Sequence, residues 1–129
     1  MLFPPQLIGH FLFMLLMILL LISGILKAHN KNTNWLNIHR GLVLAGVLSG
    51  IIGFSIMAIA KQLSGRAHFV SPHSKGGLIT LILALITPIL GTLLIKQILK
   101  QKMIHRISGF VTLIVGVLAA TFGIIRVLS

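Results

Sequence analysis

Histidine is the residue type with which this chain can do chemistry. There are six, at positions 10, 29, 39, 68, 73 and 105, in a sequence with no aspartate, no glutamate and no cysteine. Paired-acid catalysis, carboxylate-ligated Mg²⁺ or Ca²⁺ and a Ser-His-Asp triad are therefore excluded for this chain alone. Thiol catalysis, disulfides and thiolate-held iron–sulfur clusters are excluded with them. Imidazole as a metal ligand remains. Two histidines share a setting: Ile38-His39-Arg40 and Ile104-His105-Arg106 each open a long run without charge. A glycine follows each by eleven residues, Gly50 and Gly116, which on a helix is close to three full turns and the same face.

The elements that carry these residues are apolar helices. The run from Ile104 to Gly123 has polar residues only near its start, at His105, Arg106, Ser108 and Thr112, and again at Thr121. About 20 helical residues cross the roughly 30 Å hydrocarbon core of a bilayer. With 57% hydrophobic residues and a mean hydropathy of +1.10, the 129-residue chain has too little polar surface for a soluble domain. The expected fold is all-α: a single transmembrane domain, residues 1–129, with four spans in an up-down-up-down bundle. The spans are placed at about 10–28, 38–61, 73–96 and 105–128. Pro4 and Pro5 suit an entry just ahead of the first span, which lacks the basic leader and small-residue cleavage site of a signal peptide. Trp35 is placed in the first loop as an interfacial residue, and Thr87-Pro88 interrupts the third span.

The eleven lysines and arginines lie in loops and at span ends, not on one solvated basic face, which argues against nucleic acid and for anionic lipid headgroups or an acidic partner. Lys27, Lys31, Arg40, Lys96, Lys100, Lys102 and Arg106 share one side. Lys61, Arg66, Lys75 and Arg126 share the other. The positive-inside rule then puts both termini on the non-cytoplasmic side of a bacterial inner membrane or an organelle membrane.

Consecutive spans begin on opposite sides, so His10 and His73 fall near one face and His39 and His105 near the other. In an up-down bundle, first and third helices are diagonal, as are second and fourth. Each face thus offers two imidazoles facing across the axis, the donor set for bis-axial ligation of haem iron with no open position for oxygen. Gly24 and Gly53, fourteen residues past His10 and His39 and about 40° from the same face, join Gly50 and Gly116 as places where a porphyrin or a neighbouring helix can approach. Arg40 and Arg106 are placed to pair with haem propionates on one face and Lys75 on the other. His29 and His68 fall in loops and read as solvated.

The chain resembles the four-helix core of the cytochrome b561 family over nearly its whole length. HFLFMLLMILLLISG is similar to the family's opening segment, and IHRGLVLAGVLSGIIG to its second histidine segment. HSKGGLITLILALITPILG resembles its H-x-x-x-G start and Gln-Pro-x-x-Gly end, with Thr87 in place of the usual glutamine. IHRISGFVTLIVGVLAATFG matches the H-R-x-x-G opening. The resemblance implies two haem b groups, one held by His10 and His73 and one by His39 and His105. It implies a transmembrane oxidoreductase activity, moving electrons from ascorbate or another reductant toward ferric iron, a radical or a partner protein. No basic ascorbate-binding segment of the animal and plant type is present. HRISG is also similar to the membrane anchor of succinate dehydrogenase, but there Ser-Pro-His leads the His-Arg motif without an intervening span. A chain this short is expected to work as a homodimer or as a subunit of a membrane complex, in contact with lipid and a redox partner. The alternatives are a haem-free accessory subunit, with interfacial histidines and glycine-lined packing faces, and chlorophyll ligation by the same histidines.

Overall fold

The computed structural model describes residues 4–129 and consists of four helices: α1 (Pro5–His29), α2 (Trp35–Leu63), α3 (Pro72–Ile95) and α4 (Lys102–Leu128). At 24 to 29 residues they are about 36–44 Å long, each enough to cross a bilayer. The chain is an all-α integral membrane protein.

The helices start earlier than the apolar runs suggest, because their first turns are set by local backbone conformation and hydrogen bonding, not by hydropathy. Pro5 takes the first helical position of α1, where its missing N–H is one the helix leaves unpaired anyway. The helix therefore begins a turn before His10. His29 is the exposed last residue of α1, not a loop residue. Between α1 and α2 the turn Asn32–Trp35 closes with Asn34 in the left-handed region, a conformation asparagine tolerates, and Trp35 becomes the first helical residue of α2. Ser71 and Ser74 form a reciprocal capping box at the start of α3, with Pro72 at its first position. The connection before α4 turns at Gln97, also left-handed, and the N–H groups of Ile98 and Leu99 both donate to the Leu93 carbonyl. Pro88 lies inside α3, and the helix continues past it.

Packing is uneven. α1 and α2 form one close antiparallel hairpin and α3 and α4 another, while α2 meets α3 and α1 meets α4 only lightly. Among the described residues the diagonal partners, α1 with α3 and α2 with α4, have no backbone approach, as the up-down arrangement requires. Small side chains and glycines make the contacts inside the hairpins: Gly46 against Leu20 and Leu21, and Gly76 against Ala119. Met17, Leu21, Val47, Ala84 and Ala119 are the buried apolar side chains among the described residues. Ser49, Thr80 and Thr112 are buried beside them, and the Ser49 hydroxyl donates to the Phe13 carbonyl at 2.7 Å, tying α2 to α1. Leu12, Ile59 and Ile114 point outward, more than half exposed, as lipid-facing side chains do.

Candidate functional site

Each of the four span-opening histidines is fastened to the other helix of its own hairpin. His10 Nδ1 donates to the Gly53 carbonyl at 2.8 Å, and His39 Nδ1 to the Gly24 carbonyl at 2.8 Å. In the second hairpin His73 Nδ1 donates to Ala119 at 2.7 Å and His105 Nδ1 to Thr87 at 3.1 Å. A carbonyl oxygen can only accept, so the proton of each neutral ring sits on Nδ1 and the Nε2 lone pair is left for a ligand. All four acceptors obey one spacing: Gly24, Gly53, Thr87 and Ala119 each lie fourteen residues past the histidine of their own helix. In an antiparallel hairpin the latch is therefore reciprocal. Fourteen residues at 1.5 Å rise put the two histidine levels about 21 Å apart along the bundle.

Across the hairpins the rings meet in two pairs. The ring centres of His10 and His73 are 5.8 Å apart with planes at 87°, and those of His39 and His105 are 6.2 Å apart at 88°. A metal–imidazole bond of about 2 Å, with the ring centre about 1 Å beyond the nitrogen, sets two rings on one ion about 6 Å apart. Among the described residues no three His, Cys, Asp or Glu side chains gather into a metal cage. Two imidazoles at this spacing suit a metal that brings its own equatorial ligands, as haem iron does. The donor set fits.

A family model described as eukaryotic cytochrome b561 matches residues 6–128. The chain belongs to the cytochrome b561 family. Membership implies transmembrane electron transfer through haem b, in agreement with the donor set. No curated protein and no solved structure matches the chain.

The remaining residues of this b561 chain divide by what they touch. Arg40, Arg106 and Lys75 are exposed at the helix starts, Arg40 and Arg106 directly after His39 and His105. Gly50 and Gly116, open from sequence to a porphyrin or a helix, are occupied by helix neighbours: a Cβ on Gly50 would strike the Met17 side chain, and one on Gly116 would lie 3.1 Å from Thr80 Cγ2. The glycines against imidazole are others. A Cβ on Gly123 would stand 2.7 Å from His73 Nδ1, and one on Gly91 3.0 Å from His105 Cε1. A Cβ on Gly24 would stand 3.7 Å from His39 Nδ1. Trp35, one turn ahead of His39, has its ring centre 6.5 Å from that imidazole's and 5.9 Å from Lys31 Nζ, which lies over the indole. Near His105 the Thr87 hydroxyl meets Ser108 Oγ at 2.6 Å and Thr112 Oγ1 at 3.3 Å, closing α3 on α4. His68 lies in the loop after α2, its Nε2 3.3 Å from the Gln62 amide oxygen.

Proposed function

We propose that the chain moves single electrons between the two membrane faces through two haem b groups, one held by His10 and His73 and the other by His39 and His105. The observation that carries this reading is the set of four Nδ1 latches. Ring separation alone does not decide it, because an edge-to-face pair of unligated rings stands equally close; the latches fix every ring in the tautomer and orientation that a ligand needs. A haem held by two of these imidazoles would supply one-electron chemistry and would leave no position open for oxygen. The protein's part is to hold the rings before the cofactor arrives, to surround them with side chains that exclude water, and to supply counter-charge. Arg40 and Arg106 pair with propionates at one end and Lys75 at the other.

The purified protein should show reduced-minus-oxidised b-type bands and two haems per chain. His73→Ala and His105→Ala should each leave one. A folded chain without b-type bands would return the reading to a haem-free accessory subunit, and single-histidine variants that keep both haems would refute the pairing.

A further inference from the structure

These residues include eleven lysines and arginines and no acidic side chain, so side-chain counter-charge must come from outside them. Seven of the eleven cluster at the end where α1 joins α2 and α3 joins α4: Lys27, Lys31, Arg40, Lys96, Lys100, Lys102 and Arg106. At that end a groove of about 320 Å³ runs between the end of α3 and the start of α4, lined by Leu94, Gln97, Leu99, Lys100 and Lys102. We propose that this groove binds an anionic phospholipid. Its phosphate pairs with Lys100 and Lys102, and its chains run along Leu94 and Leu99. Two features favour lipid over an acidic protein. The lining joins two apolar side chains, Leu94 near the end of α3 and Leu99 in the connection, to two cationic ones, Lys100 in the connection and Lys102 at the start of α4, the combination of tail and headgroup chemistry that a single lipid presents. Ile98 and Met103, flanking the two lysines, are 69% and 68% exposed, large apolar surface that an aqueous protein partner leaves wet and acyl chains cover. The assignment is independent of the haem reading.

The test uses the whole protein in phosphatidylcholine vesicles doped with spin-labelled phosphatidylglycerol or spin-labelled phosphatidylcholine, reading the motionally restricted fraction. The wild type should select the glycerol lipid at low salt, and Lys100→Gln with Lys102→Gln should lower that selectivity about fivefold for each lysine removed. Both side chains are exposed, so the fold is not at risk, and circular dichroism checks it. Lys61→Gln with Arg66→Gln, at the opposite end, should reduce selectivity less. Phosphatidylglycerol should also shield Lys100 and Lys102 from acetylation read by mass spectrometry. Equal selectivity in the Lys100/Lys102 variant overturns the proposal. So does shielding of these lysines by an acidic polypeptide such as polyglutamate but not by the lipid.

Discussion

Gly123→Ala offers the sharpest perturbation of the site, because it adds one methyl group against one imidazole. The new Cβ would stand 2.7 Å from His73 Nδ1 and 2.8 Å from Cε1, where ordinary contact begins near 3.4 Å. The ring must therefore withdraw from α4 by several tenths of an ångström. Its latch to Ala119 is 2.7 Å long and lies one turn away on the same helix, so withdrawal carries the bond past the roughly 3.2 Å limit of a good N–H···O contact. Losing that bond costs about 1 kcal/mol, and overpacking adds about 1–3 kcal/mol. Alanine's better helix propensity returns only about 0.5–1 kcal/mol. The balance is a destabilisation of about 1–3 kcal/mol, localised at the His10–His73 pair. A site tolerates about 0.5 Å of displacement before it loosens, so under the proposed two-haem function haem content should fall from two per chain toward one while the bands of the other site persist. Gly91→Ala, at 3.0 Å from His105 Cε1, should act the same way on the other pair, more mildly. Gly41→Ala meets nothing within 4 Å among the described residues and should be neutral or slightly stabilising. Pyridine haemochrome counts and thermal melts in detergent read all three. An unchanged Gly123→Ala protein, with both haems and the wild-type melt, would show that His73 is not seated against Gly123 and that the latch argument is wrong.

Other outcomes follow from the same geometry. Ser108→Ala removes the partner 2.6 Å from the Thr87 hydroxyl but leaves that hydroxyl its bond to the Leu83 carbonyl, so it should cost about 1 kcal/mol in a thermal melt. It should not change the haem bands, because His105 is held by the backbone of Thr87, not by its side chain. Under the proposed function, haems held by rings that keep the 87° and 88° interplanar angles seen here would give strongly anisotropic low-spin ferric electron paramagnetic resonance signals, since crossed imidazoles leave two iron d orbitals nearly degenerate; signals typical of parallel rings would contradict the pairing. The chain has no cysteine of its own, so single cysteines at Ser129 and Asn30 are clean topology reporters, and Ser129 should label from the non-cytoplasmic side and Asn30 from the cytoplasmic side.

The fold and the four histidines are legible in the sequence for a simple reason. Span length and the absence of charge are one-dimensional quantities, and alternating span direction assigns each histidine to a face without coordinates. Helix ends are less legible. Pro5 and Trp35 enter their helices through local hydrogen bonds at Pro4 and Asn34 that hydropathy does not register. The latches are hidden more deeply. Gly24 and Gly53 stand out at fourteen residues past a histidine, but as residues without side chains they read as clearance, whereas the group at work is the carbonyl, which every residue has. In α3 and α4 the same spacing lands on Thr87 and Ala119, whose side chains give no hint of it, and the glycines that admit the rings come four residues later, at Gly91 and Gly123. Only the antiparallel register of each hairpin connects position to acceptor.

The division of labour between hairpins explains why those latches matter. Each hairpin packs closely within itself and lightly on the other, and each contributes one histidine to each pair. A ring latched inside its own hairpin is oriented without help from the opposite one, so two preformed halves need only dock to bring the rings together. In the proposed function a ligand bound by both rings at each level then joins the halves at two heights about 21 Å apart, which fixes both their spacing and their rotation. Binding that the unfolded chain cannot reproduce shifts the equilibrium toward the docked state by mass action. The weak seam between hairpins is then no defect of packing, because ligation, where it occurs, supplies the cohesion that side chains there do not.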